Sequence, residues 1–322
     1  MNDSGGVASA VLAVDLGGTT MKGAVVDAAG RTVHEEAWPT PTGGELVIRV
    51  LGDLLVALRA RGERLGLRIV AGSVVSPGTI DDATGMIGYA SNLGWRDVPL
   101  ASLMAERVGV PVVIGHDVRA AGLAEQRLGA ASGVEDFVQV SIGTGVAAAL
   151  FDSGTVALGA TRSAGELGHI PVIPDGELCT CGQRGCLEVY MSGAGLARRY
   201  AAHGGDVLQA ERIVARLGSD PIADAVWADA VHALALGLTT VTLLLDPALV
   251  VLGGGLSRAG ESLLAPLRVA LDGQLAWRSA PRIAVSTLGS DAGRIGASVL
   301  AFRSVGRDDI VSRWQREGVL AG

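Results

Sequence analysis

The stretch AVLAVDLGGTTMKGAVVDAAG, residues 10 to 30, decides how the rest of this 322-residue chain is read. An apolar run leads into Asp15, turns at Gly17 and Gly18, and comes back from Met21 to Asp27, the grammar of strand, glycine turn and returning strand. The grammar recurs at FVQVSIGTGVAAALFDSG, residues 137 to 154, where a strand ends at Ser141, turns through Gly143, Thr144 and Gly145, and returns to Asp152. Either turn taken singly is as well explained by an ordinary hairpin. Together they predict a duplicated α/β fold with one phosphate loop in each half and a nucleotide between them. The donors would be the backbone N–H groups of Gly17, Gly18 and Thr19 and of Gly143 to Gly145. A third cluster, in DPALVVLGGGLSRAG, sets Gly253, Gly254 and Gly255 after a buried strand and before a helix capped at Ser257.

Two common nucleotide motifs fail on spacing. The P-loop pattern G-x4-G-K-[ST] is absent. Gly143-x-Gly145-x-x-Ala148 follows a strand, but the segment after it is a short apolar run ending at Asp152, too brief for the helix a dinucleotide fold requires. Helical periodicity covers 44 to 66, 117 to 129, 206 to 218, 222 to 245 and 292 to 304.

Composition sets the class. Apolar residues make up 49% of the chain, enough to fill more than one core, so two domains are expected. Forty-seven glycines and only 3% aromatic residues imply cores of Val, Leu and Ala joined by tight turns. A formal charge of -7 works against general binding to nucleic acid or to anionic membranes. No apolar run is read as reaching the roughly 20 residues of a spanning helix, and the N-terminus lacks the basic start of a secretory signal, so a cytoplasmic protein is expected.

All three cysteines, Cys179, Cys181 and Cys186, lie in HIPVIPDGELCTCGQRGCLE, residues 169 to 188. Their odd number and crowding argue against a disulfide framework, and C-x-C with C-x4-C is a poor redox pattern. Three thiolates and one imidazole are a common structural zinc set, and His169 supplies the fourth ligand. Gly182 and Gly185 let the chain bend around an ion. Three inert buried thiols are the bland alternative. Zinc leaves the neighbouring acids Glu166 and Glu188 unexplained.

DLGGT at 15 to 19, the E-x-x-H of Glu166 and His169, and CTCGQRGCLE at 179 to 188 together resemble the ROK sugar kinases of the actin and hexokinase-like superfamily. The resemblance covers nearly the whole chain. It implies a duplicated actin/hexokinase-like (ribonuclease H-like) α/β fold with a ligand cleft between two lobes. The expected lobes are 1–120, joined by a C-terminal helix in 293–322, and 121–292. It implies transfer of the terminal phosphate of ATP to a hexose hydroxyl, Mg2+ with the nucleotide, and a structural Zn2+ on His169, Cys179, Cys181 and Cys186. The family's catalytic acid lies in a segment usually reading N-D-x-N; here GHDVRAAGLAE keeps Asp117 but has His116 and Arg119 where asparagines usually sit. Asp117, heading a helix after the strand VPVVI, would act as general base, a helix-capping Asp being the plainer reading.

On the same resemblance Asp15 would hold magnesium through water, with Gly253, Gly254 and Gly255 also approaching the nucleotide. Gly78, Asn92, His116, Glu166, His169 and Glu188 would meet the sugar. A histidine bound to zinc through one ring nitrogen offers the other as N–H, so the metal would splint a pre-aimed donor. Glucose is the expected substrate, because the E-x-x-H and Leu-Glu acids match glucokinase-like members and no feature marks an acetyl pocket. Mannose, fructose, an N-acetylhexosamine, and polyphosphate as donor stay open. A homo-oligomer, dimer or tetramer, is expected. A sugar-responsive DNA-binding regulator is disfavoured, since the first strand begins near Ser9 with no room expected for a helix-turn-helix. A silent sugar-binding protein is disfavoured by retention of Asp117.

Overall fold

The computed structural model describes residues 7–317. Contacts divide the chain into two units, one formed by the sequence up to Ser132 together with that from Asp291 onward, the other by Gly133–Ser290. The division falls beyond the end of a helix that a boundary at 120 would have cut.

The first unit opens with the hairpin expected from the glycine turn, β1 (Ser9–Leu16) and β2 (Thr20–Asp27), followed by β3 (Thr32–Pro39), α1 (Gly44–Arg64) and β4 (Arg68–Ser76). A small antiparallel sheet follows, β5 (Thr79–Asp81), β6 (Met86–Ala90) and β7 (Trp95–Val98), then α2 (Leu100–Val108), β8 (Val112–His116) and α3 (Asp117–Leu128). The main sheet runs β3-β2-β1-β4-β8, with β1, β4 and β8 parallel and the hairpin strands antiparallel. β1 is buried on both faces, which is why it reads as an unbroken apolar run. Leu12, Val14 and Leu16 join the core formed with Leu51, Leu54, Leu55 and Leu58 of α1, each worth about 1.5–3 kcal/mol when fully buried.

The second unit repeats the plan. β9 (Phe137–Ile142), β10 (Val146–Asp152) and β11 (Thr155–Val156) form the antiparallel part. The helices α4 (Leu187–Met191), α5 (Gly193–Ala202), α6 (Ala210–Val214) and α7 (Pro221–Leu245) lead to β12 (Leu249–Gly253), α8 (Glu261–Gln274) and β13 (Arg282–Val285). Its sheet order, β11-β10-β9-β12-β13, matches the first unit strand for strand, with β9, β12 and β13 parallel. The duplication read from two glycine turns is thus carried by both whole sheets.

Helix α7, 25 residues long, corrects one expectation: it is long and apolar enough to cross a membrane by length and composition. Half of its most apolar stretch is buried, with Val226, Ala230, Leu234 and Leu238 in the core of the second unit. The helix expected over 206 to 218 shrinks to α6, because bonds from Arg216 N–H to Ile213 and from Leu217 N–H to Val214 tighten the chain into i,i+3 turns. Ser257 caps no α-helix; its hydroxyl donates to the Gly254 carbonyl at 2.8 Å inside a 3-10 turn, and α8 starts after Gly260.

The chain then returns to the first unit as α9 (Ala292–Ser304) and α10 (Asp308–Glu317). α9 covers the other face of β1, where Val11 and Ala13 meet Ala297, Val299 and Phe302. It crosses α3 so closely at Gly296 that a methyl there would overlap the Ala120 carbonyl oxygen. Alanine is otherwise the better helix former, so the overlap decides the sign. Gly296→Ala should destabilise the protein by about 1–3 kcal/mol in urea unfolding; a more stable variant would contradict the close crossing.

Candidate functional site

In the first unit the parallel strands β1, β4 and β8 all end on one edge of the sheet, the edge where open α/β sheets bind ligands. That edge gathers Asp15 at the end of β1, Gly78 just past β4, and His116 and Asp117 at the β8–α3 junction. In the turn between β1 and β2, the Gly17 N–H is occupied by the Thr20 carbonyl at 3.0 Å, and Thr40 fixes the turn through the carbonyls of Gly17 and Thr19. The N–H groups of Gly18 and Thr19 have no partner among the described residues. Two of the three expected donors therefore remain for a ligand. Asn92 lies over this turn, its amide nitrogen 3.6 Å from where a Gly18 Cβ would stand. Gly78, with φ of 114°, has a second reason to be glycine: a side chain would collide with the backbone of β6 at Tyr89.

Asp15 is the most perturbed acid of the unit. Burial, and next the negative charge of Asp117, push its carboxyl up from 3.8 to about 6. Lys22 and Arg294 oppose the shift, and Gly293, at the start of α9, would place a Cβ 2.7 Å from the Asp15 carboxylate. Lys22 was missed by sequence reasoning although a hairpin centred on Gly18 and Thr19 pairs it with Asp15. Arg294, which donates to Thr32 Oγ1 at 2.8 Å and lies 3.3 Å from Asp291, has no comparable sequence signal. Because the folded pKa of Asp15 is raised, protonation stabilises the fold fully below about pH 4, and that gain is lost as pH rises through about 6. Asp15→Asn should therefore raise stability at pH 7.5 by up to about 3 kcal/mol and by little at pH 4. Urea melts at the two pH values, without divalent ions, check this; equal effects would contradict it. Two carboxylates that repel one another are the arrangement a bound dication relieves.

At the head of α3, the Val118 N–H lies 2.7 Å from Asp117 Oδ1 and 3.2 Å from His116 Nδ1. His116 is buried and Asp117 half-buried. Arg119 is buried and paired with Asp82 at 3.1 Å.

The second unit repeats the edge. β9 and β12 are parallel, and the Gly143–Gly145 turn and the Gly253–Gly255 cluster follow their ends. Here too the first glycine N–H is occupied, Gly143 donating to the Gly145 carbonyl at 2.9 Å, and the N–H groups of Thr144 and Gly145 have no partner among the described residues. Glu188, in the first turn of α4, accepts the Val146 N–H at 2.9 Å and fills the space a Gly145 side chain would need. The Glu166 to His169 segment packs on β10 through the Ala148 N–H to Gly165 bond of 2.8 Å. Glu188, Glu166 and His169 are thereby brought to the start of β10.

His169, Cys179, Cys181 and Cys186 place their ligand atoms within 4.8 Å of one another. Tetrahedral zinc with thiolates at about 2.3 Å sets sulfurs about 3.8 Å apart. Cys181 and Cys186 stand at 3.7 Å, and His169 Nδ1 lies 3.9 Å from the Cys179 sulfur, so the set fits a tetrahedral soft-metal site. Gly182 and Gly185 take positive φ in the loop as expected. Burial pushes the Cys186 thiol up to about 12, whereas the Gln183 backbone N–H holds Cys181 below its usual range, so loading a metal releases protons.

The ROK family profile matches residues 11–304. A glucokinase of Halalkalibacterium halodurans is 33% identical over 315 residues, covering 89% of this chain and 93% of its own. The crystal structure of a ROK family glucokinase from Streptomyces griseus in complex with glucose and AMPPNP superposes with a TM-score of 0.81 at 30% identity, covering 92% of this chain and all of that one. A ROK hexokinase from Thermus thermophilus gives 0.78 at 32% identity, covering 92% and 99%.

Proposed function

The chain belongs to the ROK family, and from that premise we propose that it is an ATP-dependent glucose kinase acting on the 6-hydroxyl. The observation that carries the reading is Asp117: it heads α3 at the ligand edge of its sheet, with Oδ1 held by the helix N–H and Oδ2 without a partner among the described residues. Support comes from the relatives, a glucokinase in one case and a glucokinase crystallised with glucose and AMPPNP in another.

Phosphoryl transfer asks mainly for positioning and charge stabilisation. Asp117 Oδ2 takes the proton as the sugar oxygen bonds to the γ-phosphorus, and the bond to the β-phosphate oxygen breaks with its electron pair leaving on ADP. The open N–H groups of Gly18, Thr19, Thr144 and Gly145 are assigned to phosphate oxygens, with Gly253 to Gly255 lying against the nucleotide. Asp15 would hold Mg2+ through water, and a cation beside it would offset the burial and the Asp117 repulsion that raise its pKa. Gly78, Asn92, His116, Glu166, His169 and Glu188 are assigned to the sugar. His169, Cys179, Cys181 and Cys186 would hold Zn2+, which would fix the imidazole by its Nδ1 and leave Nε2–H as a directed donor. On the same reading the protein acts in the cytoplasm as a dimer or tetramer of identical subunits.

A panel of hexoses with ATP and magnesium, coupled to ADP detection, tests the proposal. Glucose should give the highest kcat/KM; mannose, fructose or an N-acetylhexosamine in first place would reassign the substrate, and no hexose-dependent ADP would reject the activity. Polyphosphate replacing ATP in the same panel tests the donor.

A further inference from the structure

His116 closes β8 and occupies the cap position of α3, with about nine-tenths of its surface buried. Its Nδ1 stands 3.0 Å from Asp117 Oδ1. Both atoms face the single N–H of Val118, Oδ1 at 2.7 Å and Nδ1 at 3.2 Å. Were Nδ1 unprotonated, two lone pairs would oppose one another at 3.0 Å and compete for one donor, and the carboxylate, charged and nearer, would win it. The ring nitrogen would then be buried without a partner, at a cost. A proton on Nδ1 removes the conflict: Nδ1–H donates to Oδ1, and Oδ1 accepts the Val118 N–H as well.

We infer that His116 is a positioning residue for Asp117, bound to its Oδ1 through Nδ1–H. The inference rests on the kinase reading for its kinetic consequence, not for its geometry. Two donors on Oδ1 lock the carboxylate torsion and draw negative charge to that oxygen, so Oδ2 is presented as the single free acceptor for the substrate proton. The other charged groups nearby do not perform this task. Asp15 acts on Asp117 by repulsion, and Arg119 extends to Asp82.

The tautomer has a second effect. With the proton on Nδ1, the neutral ring leaves Nε2 as a bare lone pair, and Nε2 has no hydrogen-bond partner among the described residues. It can only accept, so it selects a hexose whose facing hydroxyl donates. An asparagine amide at this position could donate or accept and would not enforce that choice.

Nitrogen-15 NMR of the histidine-labelled protein at pH 7.5, with His116→Asn identifying the resonance, reads the tautomer directly. The expected spectrum has the proton on Nδ1 and a bare Nε2; a proton on Nε2 overturns the inference whether or not the protein phosphorylates sugar. In the kinase assay His116→Ala should lower kcat about a hundredfold, the scale of a misplaced reacting group, with KM for MgATP unchanged. His116→Asn should recover most of that kcat, because its amide can cap α3 or donate to Oδ1. Wild-type kcat in His116→Ala, or an asparagine variant no better than alanine, would refute the positioning role. Failure of wild-type protein to turn over any hexose would refute the kinase reading and leave the NMR result to decide this one.

Discussion

Asp117→Asn should reduce kcat by about a thousandfold or more, the range attributed to a positioned proton acceptor, with little change in stability. The side chains are the same size, and the asparagine oxygen can still receive the Val118 N–H that Asp117 Oδ1 now holds at 2.7 Å, so the head of α3 keeps its cap. What disappears is the basic oxygen on the open side. A second readout does not depend on turnover. The charge of Asp117 is the second cause, after burial, of the raised Asp15 pKa, so the variant should bring the Asp15 titration down from about 6. Substantial residual activity alongside a shifted Asp15 would mean that the carboxylate is where the structure has it but another group takes the proton.

The other large effect is expected from Cys181→Ser. Cys179 and Cys186 are buried in the core of the second unit, so replacing either would confound metal loss with lost packing. Cys181 is exposed, and its removal takes one corner from the tetrahedron while leaving the core intact. Zinc content by atomic emission should fall to a small fraction of wild type. Glucose affinity by calorimetry should fall by about 10–100-fold, the scale on which groups that orient a ligand act. The causal link is the ring of His169: Nδ1 faces the sulfurs, and without an ion nothing fixes which nitrogen carries the proton. Loss of zinc with unchanged sugar affinity would reduce the metal to a loop staple.

Much of this was legible in the chain itself, for reasons that differ from element to element. The β1–β2 and β9–β10 hairpins were readable because a central strand buried on both faces must be apolar throughout and because its turn needs glycine. The His169–Cys179–Cys181–Cys186 cluster was readable because its four residues lie within eighteen positions of one another and a bent loop suffices to gather them. Helix α5 escaped notice because Gly193 and Gly195 weaken its pattern, and α8 was expected but from a cap at Ser257 rather than after Gly260. Arg294 and Gly293 are brought to Asp15 only by the return of α9, a pairing that local periodicity does not encode. The tie between Glu188 and the Val146 N–H is hidden in the same way, since it joins residues 42 positions apart. His116 was visible as a departure from the family pattern, but its use of Nδ1 depends on a backbone N–H whose direction is set by the start of α3.

The return of α9 and α10 to the first unit has a bearing on synthesis. β1 leaves the ribosome long before α9, so Val11 and Ala13 wait for Ala297 and Phe302 before that side of the strand is sheltered. Trp314, whose indole N–H donates to the Ala28 carbonyl at 3.0 Å, ties α10 to the turn after β2. The contiguous segment from Gly133 to Ser290 faces no such delay and is free to fold while translation continues, so the vulnerable interval belongs to β1 and its sheet.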